Sequence, residues 1–236
     1  MITAAVFAGP PTVGDVGDVD SFQKNARFLG AASGFLTLSP SCTPTPPPAT
    51  SPSPSPANTD QCYNLDPTPG NLTVFSAPNI ARINLPGGAA HDVIYPVLTF
   101  FTNYQLQNPT AAQVPNARFL YSATLTIYSA VLNDPTIIDP NTGLPAGGAL
   151  TFVFSPDRFE VDRSLEGNER ARTRLDYTRA ANAGIEKAAL ISAGTLTQHQ
   201  ADDLFNKPMT VRMDVTGQAR YVTDANVTFN MRLFGD

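Results

Sequence analysis

The chain reads as mainly β: an antiparallel β-sandwich that admits a jelly-roll topology, with one or two short helices late in the sequence. Three observations predict this. Apolar and polar residues alternate with a period of two through most of the long segments from residue 26 onward. Turn residues punctuate those segments, with 22 Pro and 16 Gly in 236 residues. Charged residues make up only 15% of the chain while Thr, Val and Phe are plentiful, a composition suited to pleated, half-buried surfaces. The length fits one domain over residues 1–236, with residues 39–70 as a Pro/Ser/Thr-rich insertion closed by a disulfide.

Residues 4–8 form a short apolar strand. Ala4, Val6 and Ala8 share one face, and a free terminal strand of this kind can add to a neighbour's sheet. Residues 9–22 are rich in turn formers and place Asp15, Asp18 and Asp20 among glycines. Three carboxylates on one loop are a candidate calcium site, because that hard cation takes oxygen ligands. The spacing is not that of an EF-hand loop, and the plainer reading is a solvated turn whose Asp side chains accept from nearby backbone N–H groups.

The run Pro10-Pro11-Thr12-Val13-Gly14-Asp15-Val16-Gly17-Asp18 is followed by Asp20-Ser21-Phe22, Asn25 and Phe28-Leu29-Gly30, and the chain closes on Met231-Arg232-Leu233-Phe234-Gly235-Asp236. These two ends resemble the ends of uncharacterised secreted proteins of Gram-negative bacteria. The resemblance implies export and carries no activity and no functional residues with it.

Residues 26–38 read as a strand in which Gly30 and Gly34 mark a bend or bulge. Then comes the bracket of Cys42 and Cys62, the chain's two cysteines, around TPTPPPATSPSPSPANTDQ. Proline fixes φ and lacks a backbone donor, so this run forms neither helix nor ladder and favours polyproline II. Two cysteines with no metal-binding pattern between them predict a disulfide and an oxidising compartment. The tract suits O-linked sugar, and Asn71-Leu72-Thr73 and Asn226-Val227-Thr228 are sequons that matter only in a glycosylating host.

Residues 72–76 and 80–85 read as two short strands, and residues 93–106 as a strand apolar on both faces, buried between layers, in which Pro96 requires an edge or a bulge. Residues 117–132 alternate most cleanly but are too long for one straight strand. Residues 133–148 form a long turn-rich connection, and residues 150–154 resume the sheet. Six Lys/Arg and six Asp/Glu crowd residues 157–179 with mixed signs, which predicts an exposed edge strand or an ionic subunit contact. The Ala-rich residues 180–193 predict a helix stopped by Gly194. Thr197 and Gln200 have capping-box spacing and open a second helix over 198–206. Two clean strands end the chain, separated by a turn at Gly217.

The net charge of −5 argues against nucleic acid and against anionic membrane surfaces as partners. No apolar run approaches the ~20 residues that span a bilayer. Catalytic signatures are missing: there is no G-x-S-x-G elbow, no H-E-x-x-H and no P-loop. His91 and His199 are far apart in sequence, and Glu160 with Asp162 is the first carboxylate pair to check. The expectation is a non-enzymatic, secreted or cell-surface structural or interaction protein. It would self-assemble as a homo-oligomer, a filament or surface-layer subunit, without a cofactor. The alternative is a calcium-assisted module for a glycan or other surface ligand.

Overall fold

Strand pairing in this chain is nested. In the computed structural model, which describes residues 26–43, 60–181 and 184–236, the elements run β1 (Arg27–Ser39), β2 (Asp60–Asn64), β3 (Thr73–Leu85), β4 (Val93–Gln107), β5 (Val114–Tyr128), β6 (Ala149–Leu165), β7 (Arg170–Ala181), β8 (Ile185–Glu186), α1 (Lys187–Ser192), α2 (Gln198–Asn206), β9 (Met209–Arg220) and β10 (Val222–Gly235). The innermost pair is β5 with β6, then β4 with β7, β3 with β9 and β1 with β10, all antiparallel. One long hairpin is thus rolled up, and rolling lays β10 against β4 and β9 against β5. The outcome is two sheets, β2-β1-β10-β4-β7 and β3-β9-β5-β6, with β8 beside the start of β4. Eight strands in the orders 1-10-4-7 and 3-9-5-6 are a jelly-roll sandwich. Among the described residues neither sheet closes on itself. No helix among the described residues is long and apolar enough to cross a membrane.

Alternation sets the faces. In β10, Ala225, Val227, Phe229, Met231 and Leu233 are fully buried, and in β9 Val211, Met213 and Val215 match them from the other sheet. Aromatic rings fill the space between the sheets. Phe100 of β4 and Phe229 of β10 lie edge-on to Tyr121 of β5 at 5.8 and 5.5 Å. Tyr121 stacks on Phe159 of β6 at 5.1 Å, and Tyr104 meets Phe119 at 5.7 Å. Each such pair adds about 0.5–1.5 kcal/mol beyond the burial itself. The buried Tyr121 hydroxyl is satisfied by Thr102 Oγ1 at 2.6 Å.

Several local expectations change. The two strands over 72–76 and 80–85 are one strand, β3, interrupted by a bulge between Ala77 and Ala81, where Asn79 takes φ 55°. The bulge is pinned by the Asn79 N–H donating to Asp214 at 2.6 Å. Gly30 does sit at a bulge, but Gly34 stays in register with Phe229. Gly34 is there for clearance: a Cβ would lie 1.9 Å from the Ile80 carbonyl oxygen of the facing sheet. Gly217 is likewise no turn. β9 runs straight through it, because a Cβ would lie 2.2 Å from the Phe75 ring and 2.5 Å from the Leu120 carbonyl oxygen. Pro96 lies in a central strand, at the residue where neither β7, which pairs from Val97, nor β8, which pairs to Ile94, supplies a partner. The predicted helix over 180–193 shrinks to α1, because β7 extends to Ala181 along β4, and sheet pairing overrides alanine's helix preference. The helix over 198–206 forms as read, with the Thr197–Gln200 capping box in place.

Candidate functional site

The cysteine bracket closes as a disulfide. Cys42 and Cys62 are joined with their Cα atoms 5.6 Å apart. Cys62 lies on β2, which pairs in parallel with β1, and Cys42 follows the turn that ends β1. A parallel neighbour needs a crossover, and residues between the cysteines supply it. Closing a loop of this length contributes about 3 kcal/mol on the chain-entropy account.

Past the disulfide the chain enters the connection to β3, Leu65 to Leu72, and several hydrogen bonds hold this loop. The Leu65 N–H donates to the Ser39 carbonyl at 3.1 Å. Asp66 accepts from the Thr68 N–H at 2.8 Å and from the Asn71 amide at 3.1 Å. The Thr68 N–H, then the Asn71 amide, hold the Asp66 carboxyl below its usual range. Gly70 takes φ 87°, and its carbonyl accepts from Arg220 Nε at 2.7 Å. Pro67 and Pro69 stiffen what remains.

This rigid loop forms one wall of a cleft of about 200 Å³ at the end of the sandwich. Pro40 comes from the β1–β2 connection, Pro67 and Pro69 from the β2–β3 loop, and Pro109 from the β4–β5 loop; all four are exposed. Tyr221 lines the cleft with Gln107 and Thr223. Tyr221 alone joins β9 to β10 and turns the chain from one sheet to the other at φ 58°. An aromatic residue in that left-handed region is an outlier and costs roughly 1–2 kcal/mol. Its backbone carbonyl accepts from the Gln107 N–H at 2.9 Å. Its hydroxyl and the Gln107 side-chain amide make no hydrogen bond among the described residues.

The same end is knotted from below by Asn108, which is fully buried. Its amide donates to the carbonyls of Ala112, Leu165 and Glu166, and its oxygen accepts from the Thr110 N–H and hydroxyl. The β4–β5 and β6–β7 loops are thereby fixed to each other beneath the cleft.

The opposite end carries α1, α2 and a second recess lined by Asp92, Glu186, Lys187 and Asp236. Asp236 accepts from the N–H groups of His91, Asp92 and Val93 at 3.3, 2.9 and 3.1 Å. Lys187 bridges Asp92 and Asp202, each at 3.2 Å. Asp92, Lys187 and Asp236 in this recess are thus engaged in bonds within the protein.

The remaining sequence-predicted residues fall as follows. Asp15, Asp18 and Asp20, and the assembly strand Ala4, Val6 and Ala8, lie outside the described residues. Among the described residues no cluster of His, Cys, Asp or Glu is arranged to hold a metal. Glu160 and Asp162 are exposed on β6, and Asp162 is paired with Arg118. His91 is exposed in the β3–β4 loop and His199 sits in α2. The charged stretch over 157–179 runs along β6 and β7, which border the two sheets on one side. Exposed charge there, at Glu160, Asp162, Arg163, Arg170 and Arg172, disfavours strand pairing along an open edge. Sequence reasoning missed Tyr221 and the four prolines, since they come together only when four connections converge. The signal it passed over is the change of phase between Ala219 and Val222, both buried.

No protein-family model and no curated protein matches the chain. Among solved structures, it is similar to one described as "Structure of infectious bursal disease virus Gx strain", at 11% identity and a TM-score of 0.19. The match covers 81% of this chain and 37% of that one. A likeness at that score carries no argument, and the fold rests on the strand order itself.

Proposed function

We propose that this protein is a non-enzymatic structural or interaction module of the bacterial exterior that works through its surface and associates with further copies of itself. The observation that carries the reading is the filled interior. Phe100, Phe119, Tyr121, Phe159 and Phe229 occupy the space that a ligand-enclosing β fold would leave open, so recognition falls to the ends and edges. The Cys42–Cys62 disulfide supports an oxidising compartment. Leu72 and Val74, exposed two residues apart at the start of the edge strand β3, support contact with another protein surface.

Sizing chromatography with negative-stain electron microscopy of the oxidised protein, with calcium and with chelator, tests it. A defined oligomer or regular filament, indifferent to calcium, is the expected result. A monomer at every concentration and in both conditions would overturn self-association.

A further inference from the structure

We infer that the Tyr221 cleft is a docking site for an extended proline-rich segment, and that its occupant is the Pro/Ser/Thr tract, residues 44–59, of a second copy of this chain. The inference rests on the self-association proposed above and names the contact that produces it.

The lining selects the chemistry. Four exposed pyrrolidine rings and a tyrosine ring offer flat apolar faces at the rim and floor. The polar groups left over on the lining include two donors, the Tyr221 hydroxyl and the Gln107 amide. A polyproline II segment is the complement. Its prolines have no N–H to satisfy, its carbonyls are free to accept, and its rings stack on aromatic and apolar faces. The walls are preformed by the Asp66 turn, the Arg220–Gly70 bond and the Asn108 knot, so docking orders little on the protein side.

The source follows from position. Pro40 lines the cleft, and the tract departs three residues later, just past Cys42. With both ends held together by the Cys42–Cys62 disulfide, sixteen residues of this composition reach up to ~25 Å from that anchor when extended. Two copies facing each other at this corner therefore bring each tract to the other's cleft, the reciprocal contact of a two-fold dimer. The tract carries no charge from Thr43 to Thr59, so nothing ionic opposes its entry.

The test uses a fluorescent synthetic peptide of residues 43–59, titrated by anisotropy into the full chain. It is also titrated into a variant whose residues 44–59 are replaced by a short Gly-Ser linker with both cysteines kept. Sedimentation of each protein is measured in parallel. The full chain should self-associate, and the linker variant should be monomeric and bind the peptide saturably. Tyr221→Gly in the linker variant should weaken that binding at least ten-fold. Tyr221→Phe, which removes only the hydroxyl and keeps the fold's ring, should weaken it less. A peptide with alanine at every proline should not bind. The inference fails if the peptide does not saturate the linker variant, or if Tyr221→Gly leaves binding unchanged. It also fails if the full chain is monomeric while the linker variant binds, since the tract would then fill its own cleft. If the linker variant still assembles as the full chain does, the cleft inference falls while the broader self-association stands.

Discussion

The two ends of the sandwich are tied by opposite chemistry. At the cleft end the central tie is a neutral amide: buried Asn108 gathers three carbonyls, with Asp66 shaping the loop above it and Glu169 holding Arg163 and the Glu166 N–H in the exposed loop beside it. At the helix end the ties are carboxylates. Asp236 takes three backbone N–H groups, Asp134 holds Thr136 and the Gln200 amide, and Asp202 and Asp203 hold Lys187 and Lys207. A neutral knot tolerates burial, since no charge is desolvated, and it can sit under a rigid recognition surface. Carboxylate ties stay near water and respond to pH. The contrast suggests that the cleft end is built to be stiff and the helix end to be merely closed.

Breaking the neutral knot should have the largest effect. Asn108→Ala removes the donor to the carbonyls of Ala112, Leu165 and Glu166, the Leu165 contact being buried, and the acceptor of the Thr110 N–H and hydroxyl, at roughly 1–3 kcal/mol for each buried group left unpaired. Relaxation and water recover part of this, so a net loss of about 3 kcal/mol is expected in urea unfolding. Asn108→Asp should be no better, because it faces the same carbonyls with oxygens. A midpoint unchanged by either substitution would show that the two loops do not depend on this residue.

The next effect sets the ends against each other through acid. Against the opposing cost of burial, the N–H groups of Asp92, Val93 and His91 hold the Asp236 carboxyl below its usual range. The Thr136 N–H does the same for Asp134, Gln198 for Asp202 and Lys207 for Asp203. A carboxyl depressed in the folded state adds stability that is fully present above its unfolded pKa of about 3.9 and is lost as pH falls through the lower folded value. Four such groups stand at the helix end and one, Asp66, at the cleft end. Between pH 5 and pH 2, amide protection factors should therefore fall first at residues 91–93, 134–136 and 198–207, with residues 108–112 and 165–169 following only on global unfolding. Equal loss of protection at both ends would remove the distinction. Asp236→Asn should make residues 91–93 insensitive to that acid step.

How much of this could be read beforehand divides along the same physical line. Alternation names the buried face, so Met209 to Val215 and Ala225 to Leu233 were legible, as were the capping box at Thr197 and Gln200 and the pairing of Cys42 with Cys62. All of these are local, or forced by the chain having two cysteines. Alternation does not name the partner strand, so the nested order of the jelly roll was only one admissible topology. Glycine misled for the same reason. Gly217 looks like a turn in sequence, yet it sits mid-strand because Phe75 and Leu120 press on it from other strands. Gly217→Ala should accordingly lower stability by about 1–3 kcal/mol, the usual range for overpacking, where a true turn glycine without such contacts would lose less. Thermal melting of that single variant separates the two readings. The cleft was illegible because Pro40, Pro67, Pro69, Pro109 and Tyr221 belong to four separate connections.

Tyr221→Gly should change stability least, and that smallness is informative. Glycine relieves the left-handed strain, roughly 1–2 kcal/mol. It also gives up the half-buried ring, whose contact with solvent-shielded neighbours is worth a similar amount, about 1–2 kcal/mol. The two terms nearly cancel, so the melting temperature should stay within a few degrees. A glycine at that corner would serve the fold as well as the tyrosine does, and the aromatic ring then answers to something other than folding. Tyr221→Ala, which loses the ring and keeps the strain, should melt below Tyr221→Gly. If alanine and glycine melt alike, the φ of residue 221 is not a constraint on the chain, and the tyrosine is no longer a costly choice that binding must explain.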